Sequence, residues 1–225
     1  VIAMGGWLAL CVSAHLVARA FRKPDLVPPV FLAGLGRIAG LRLRVEGTPC
    51  PRSLLLANHV SWLDIPALAA TVRAVFIAHE GLAGQPVLKW LCEQNRTVFI
   101  ARSRRGTVGE QVEQVRAAFG TRPLVIFPEG TTGDALLPFR SSLLAAIDPL
   151  PQGTSVQPVL LAYEDVQEIA WVDGEPGIAN ARRILSRRRP VRLTVHFLEP
   201  LSGPALASRK TIAAAAREAI EHALA

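Results

Sequence analysis

Seven short apolar runs mark the chain from residue 41 onward: LRLRV, SLLLA, AVFIA, TVFIA, PLVIF, SVQPVLLAY and VRLTVHF. Their composition and length read as β-strands. Helix-like windows lie between several of them, most clearly at Ile65–Val72, Gln85–Cys92, Thr107–Phe119, Ser141–Ile147 and Arg209–Leu224. Strand and helix in alternation predict an α/β fold: one domain with a mixed, largely parallel sheet and helices on both faces. Half of the 225 residues are hydrophobic, enough to bury one sizeable core. Residues 164–189 are the hardest to place, because WVDGEPG suggests a loop and RRILSRRR a basic helix end or surface run.

The apolar surplus sits at the front. Val1 to Ala18 carries no charge before Arg19, Arg22 and Lys23, the pattern of a membrane helix with a basic flank. A second apolar block, Leu26 to Leu41, opens on Pro28-Pro29, which suits a first helical turn. Together the two blocks predict a helical hairpin dipping into one leaflet, with Arg37, Arg42 and Arg44 facing anionic head groups. The expected organisation is therefore a membrane-associated helical segment over 1–39 and a catalytic domain over 40–225. Two other readings of the first block stay open, an ordinary buried helix and a secretory signal, since Ala18-Arg19-Ala20 resembles a small-x-small cleavage site. The chain opens on Val, as a fragment would.

The net charge of +7 also suits an anionic membrane surface. Nucleic acid is the rival partner, but no aromatic-basic interleaving, zinc spacing or recognition-helix pattern supports it. Cys11, Cys50 and Cys92 are odd in number and widely spaced, which argues against a disulfide framework or zinc site and for a reducing compartment.

In open α/β sheets reactive groups gather where strands end and helices begin. Three such junctions carry unusual residues: Asn58 to Asp64 after SLLLA, Arg102 to Arg105 after TVFIA, and Phe127 to Thr132 after PLVI. An imidazole can take a proton near neutral pH, and a carboxylate on its other nitrogen fixes the tautomer and stabilises the imidazolium. His59 and Asp64 have the residue types for that division of labour, although Asp64 alone also reads as a helix N-cap and His59 as a loop histidine. Neither Ser61 nor a cysteine stands in a nucleophile elbow, so no covalent acyl-enzyme is expected. In FPEGTTGD a proline ends the strand, Glu129 stands at its mouth, Gly130 frees the backbone, and Thr131 and Thr132 add hydroxyls. Such a turn can hold a polar head group or an oxyanion, and by itself it also reads as a plain strand-to-loop turn.

These motifs, in this order, resemble the glycerolipid acyltransferase family that includes the 1-acylglycerol-3-phosphate acyltransferases. NHVSWLD is similar to the family's Asn-His-x4-Asp block and FPEGTT to its Phe-Pro-Glu-Gly-Thr block. TVFIARSRR matches the Phe-Ile-Asp-Arg block through Phe99, Ile100 and Arg102, and VQPVLLAY resembles the fourth, proline-containing block. The resemblance spans roughly Gly40 to Tyr163. It implies His59 as general base with Asp64 orienting it, and Arg102, Glu129, Gly130 and Thr131 at positions that bind the acceptor's head group. It implies acyl-CoA or acyl-ACP (acyl carrier protein) as donor, a lysolipid acceptor, most directly 1-acylglycerol-3-phosphate giving phosphatidate, and no metal or resident cofactor. The expected location is the cytoplasmic face of the inner membrane.

Three residues depart from the family pattern. Ala101 replaces the Asp of the second block, Thr132 stands where many members have Arg, and His79 lies where Lys is frequent. The missing Arg removes a bidentate phosphate partner. FPEGTT followed by LLPFRSSLL also resembles members that acylate lyso-ornithine lipids, the alternative acceptor. From other classes, a non-catalytic lipid-binding module is disfavoured by retention of both His59 and Asp64. A metal hydrolase built on His59, Asp64 and Glu129 lacks the usual closely spaced second His.

Overall fold

The computed structural model describes residues 2–79, 86–100 and 122–225. Two helices, α1 (Ile2–Ala20) and α2 (Val27–Ile38), precede β1 (Leu41–Glu46) and β2 (Ser53–Ala57). Next come α3 (Asp64–Val72), β3 (Val75–His79), α4 (Pro86–Gln94), β4 (Val98–Ile100) and β5 (Leu124–Ile126). A 3-10 helix covers Ser141–Ile147, where the sequence suggested an α-helix. The chain continues through β6 (Ser155–Tyr163), α5 (Val166–Ile169), α6 (Gly177–Leu185), β7 (Val191–Phe197) and α7 (Arg209–Leu224). The window expected as a helix over Thr107–Phe119 lies outside the described residues.

All seven predicted strands join one sheet in the order β1-β7-β6-β2-β5-β3-β4. Every pairing is parallel except β6 with β7, which is antiparallel. The antiparallel strand keeps an alternating pattern, with Val191, Leu193, Val195 and Phe197 buried. Central β2 is buried at all five positions. Its alternate side chains feed two cores: Leu55 and Ala57 meet α3 and the α5–α6 region, whereas Leu54 and Leu56 meet the 3-10 helix and α7. Each fully buried leucine there contributes about 1.5–3 kcal/mol.

The N-terminal helices pair as a hairpin. The Trp7 indole N–H donates to the Phe31 carbonyl, and its ring fills the notch over Gly34, where an added Cβ would lie 2.3 Å from a ring carbon. Leu10, Leu16 and Val17 of α1 and Phe21 just after it remain exposed, and the helix's apolar window is only 11% buried, so α1 is not an internal core helix. Its length and composition suffice to cross a membrane. Helix α2 differs: Pro28, Pro29 and Gly36 are buried, and an added Cβ on Gly36 would meet Pro66 of α3 at 3.1 Å. A division after residue 39 thus cuts through a packed contact. The connection between the helices is also tied down, because Asp25 pairs with Arg96 at 2.6 Å and its carbonyl accepts from Arg73.

Deleting residues 1–21 should therefore leave a folded domain, whereas deleting residues 1–39 uncovers α3 and should lower the melting temperature by roughly 5 °C or more beyond the shorter deletion. Thermal unfolding of both truncations in detergent tests this. Equal melting temperatures would mean that α2 is no part of the domain.

Candidate active site

At the end of β2 the side chain of Asn58 takes over the sheet's hydrogen bonding. Its Oδ1 accepts the Leu161 N–H at 2.7 Å and its Nδ2 donates to the Leu161 carbonyl at 3.1 Å. The amide extends the β2–β6 ladder beyond Ala57↔Val159 and lets the main chain turn away at His59. Helix α3 begins at Asp64, which lies in its first turn with Leu63 as N-cap.

Asp64 does not cap its own helix. Its Oδ2 reaches back to accept the Val60 N–H at 2.7 Å, the Ser61 N–H at 3.0 Å and His59 Nδ1 at 2.8 Å. Its Oδ1 accepts the Tyr163 hydroxyl at 2.5 Å. The carboxylate has no exposure to solvent, and the His59 side chain is 18% exposed. Phe127 stacks on the imidazole, with ring centroids 4.0 Å apart and planes inclined by 14°. With Nδ1–H directed at Asp64, Nε2 keeps its lone pair for a substrate proton. Ser61 is fully buried, which agrees with its exclusion as a nucleophile.

The turn after β5 grips the same histidine by its backbone. Glu129 Oε2 accepts the His59 N–H at 2.9 Å, Oε1 accepts the Leu137 N–H at 3.0 Å, and Gly133 N–H donates to the His59 carbonyl at 3.0 Å. Gly130 makes the turn possible with φ 73°, a left-handed conformation that suits glycine. Burial pushes the Glu129 carboxyl up to about 7. The hydrogen bonds from His59 and Leu137 oppose that rise, the Asp64 charge adds to it, and Arg217 offsets part of it.

His59, Asp64, Glu129 and the turn at Gly130 and Thr131 thus come together at one end of the sheet, while Arg102 lies outside the described residues. Gly130 and Thr131 are exposed at the mouth. Glu129, expected to face a head group, is buried with both oxygens engaged by backbone N–H groups. The Thr132 hydroxyl donates to the Trp171 carbonyl at 2.6 Å, and the Trp171 N–H donates to the Val60 carbonyl at 2.9 Å. The region left unassigned in the sequence therefore walls the site. Tyr163, Asn58 and Trp171 have no role legible from sequence, because their partners are remote in chain and are brought beside them only by the fold.

A histidine with one nitrogen held by a buried carboxylate and no partner on the other among the described residues is suited to accept a proton. The sequence model of the Acyltransferase family matches residues 42–162, which include this site, and the chain belongs to that family. It is an O-acyltransferase. The lyso-ornithine lipid O-acyltransferase of Rhodobacter capsulatus is 32% identical, covering 96% of this chain and 87% of that protein. The 1-acyl-sn-glycerol-3-phosphate acyltransferase of Neisseria gonorrhoeae is 38% identical, covering 60% of this chain and 56% of that protein. The crystal structure of the 1-acyl-sn-glycerophosphate acyltransferase PlsC from Thermotoga maritima shares the fold, with a TM-score of 0.65 and 22% identity over 96% of this chain and 88% of that one.

Glu129→Gln places an NH2 group against one of two backbone donors, so activity should fall at least about tenfold and stability with it. The wild-type carboxyl binds its proton more tightly folded than unfolded, so its contribution to stability is present below pH 4.5 and is lost as pH rises through about 7. Thermal unfolding across that range should show this decline in wild type and a flatter profile in Glu129→Gln. Identical profiles would remove Glu129 from this role.

Proposed function

We propose that this enzyme transfers a fatty acyl group from an acyl-CoA or acyl-ACP thioester to the free hydroxyl of a lysolipid. The observation that carries the reading is the orientation of His59, with Nδ1 on Asp64 and Nε2 without a partner among the described residues. His59 Nε2 takes the proton of the acceptor hydroxyl as its oxygen attacks the thioester carbonyl. The tetrahedral intermediate collapses by breaking the carbon–sulfur bond, and the departing thiolate takes the proton from the imidazolium. The products are an ester and a free thiol. The exposed turn at Gly130 and Thr131, with Arg102, forms the head-group side of the site in this reading, and Glu129 supports it from beneath.

The first acceptor is 1-acylglycerol-3-phosphate, giving phosphatidate; the 38% identity to the neisserial enzyme supports it. Lyso-ornithine lipid is a second reading favoured by a specific observation. The relatives acting on it match along 78–96% of this chain, and the Thr132 hydroxyl, where an arginine would contact phosphate, is committed to Trp171. The exposed apolar face of α1 and the basic residues Arg19, Arg22 and Lys23 that follow it support docking at a membrane, with the domain on the cytoplasmic face.

His59→Ala should abolish acyl transfer with the fold intact, and Asp64→Asn should cut kcat by about 10³–10⁴ through the wrong tautomer. Purified variants assayed with an acyl thioester and mixed lysolipids, products identified by mass, test both. Near-normal turnover in either one defeats the base assignment, and no turnover by wild type on any lysolipid would favour a lipid-binding module. In the same assay Arg102→Ala should raise the KM for 1-acylglycerol-3-phosphate far more than that for the donor. An acceptor profile unchanged by that substitution would remove Arg102 from head-group binding.

A further inference from the structure

The pair His59–Asp64 has a third member that comes from the strand beside β2. Tyr163 is the last residue of β6, buried in the core that packs under α3. Val159, Leu161 and Tyr163 share that face by strand alternation. The two-way bond between Asn58 and Leu161 fixes the end of β6 beside the end of β2 and so places the phenol over the carboxylate. We propose that Tyr163 is a positioning residue of the acyl transfer, which holds Asp64 by its Oδ1 oxygen and thereby sets how strongly Asp64 acts on the His59 base. This rests on His59 being that base.

The physical reason is the division of labour between the two oxygens of Asp64. Oδ2 already accepts three donors, His59 Nδ1 and the Val60 and Ser61 N–H groups. Oδ1 has the Tyr163 hydroxyl, at 2.5 Å. The carboxylate has no exposure to water, so the phenol replaces a solvent molecule that the fold excludes. Burial, and then the adjacent Asp64 charge, push the Tyr163 phenol well above its ordinary range, so the hydroxyl remains a proton donor throughout the working pH of a histidine. A hydrogen bond to a carboxylate draws negative charge toward the donor. Without it, more of that charge turns to His59, its imidazolium is harder to deprotonate, and the free carboxylate can pivot. Among the described residues, the other titratable group at the pair is Glu129, whose carboxyl lies on the His59 N–H rather than on the ring.

Tyr163 is the only tyrosine in the chain, which permits a graded test. Tyr163→Phe keeps the ring and removes the donor. Biosynthetic incorporation of 3-fluorotyrosine keeps the shape at that one position and makes the phenol a stronger donor. The kcat/KM of the purified full chain would be measured against pH with a lysolipid in detergent micelles, beside wild type and His59→Ala. The Phe variant should lose roughly 10- to 100-fold in kcat, part of the 10²–10⁴ that general-base catalysis supplies, with little change in acceptor KM. Its acid limb should move up by about half a pH unit or more, and that of the fluorotyrosine protein should move down. Acid limbs that stay with wild type in both proteins would overturn the proposal, as would a Phe variant of wild-type kcat. Should Tyr163→Phe fail to fold, the fluorotyrosine limb decides alone. Activity retained by His59→Ala would instead overturn the base assignment itself, an outcome distinct from unmoved limbs with an inactive His59→Ala.

Discussion

A carboxylate shut away from water is the constraint around which this site is built. Removing one partner from a buried charge costs several kcal/mol, so Asp64 obliges the fold to supply donors on every side. It receives two from the backbone of the loop before it, one from the His59 ring, and one from a strand 99 residues downstream. Those donors reach it only when β2 and β6 are paired and α3 starts where it does. Folding the sheet and orienting His59 are therefore the same event. The backbone N–H bonds also separate Asp64 from an ordinary helix cap, which would accept from the turn that follows it.

How much of this could be read from residues alone depends on chain distance. The seven strands and the terminal helix over Arg209–Leu224 were legible because each is a local pattern of apolar residues with its own boundaries. The His59–Asp64 pair was legible too, since both members sit within one loop. Tyr163 and Asn58 were not, because each is defined by a partner that the strand order brings close and the sequence does not. The resemblance fixed Glu129 as a residue of the site but not its direction. A carboxylate at a strand mouth can face the cleft or the interior, and only the Leu137 N–H eight residues on shows that the loop closes around it. The wall formed by Trp171 escaped notice because a tryptophan read in sequence is more often core or interface. Its role here comes from main-chain bonds to Val60 and Thr132.

The N-terminal helices are bound to the domain by a different set of contacts. Helix α2 packs on α3, the helix that carries Asp64, while α1 rides on α2 with much of its apolar surface uncovered. The Asp25 contacts with Arg96 and Arg73 tie the turn between them to the domain, so the hairpin is joined to the catalytic body at both of its ends. Helix α1 is therefore held against the domain through α2 instead of trailing on a free linker.

Two carboxyl groups serve one histidine, and their surroundings divide the work. Asp64 holds the ring, and the four donors around it match what an acceptor-only charged group requires. Glu129 holds the backbone of the same residue with two neutral N–H donors, too few to offset its burial, which is why it is pushed up to about 7. One of its oxygens lies on His59 and the other on Leu137, and the turn between them contains Gly130 and Thr131. The segment proposed to receive the acceptor is therefore closed into a ring through the base's own peptide. A shift of that turn displaces His59, and a shift of His59 displaces the turn. Catalysis by proton transfer needs the hydroxyl within hydrogen-bond reach of Nε2. Glu129 thus fixes the turn and the His59 backbone relative to each other through its two oxygens.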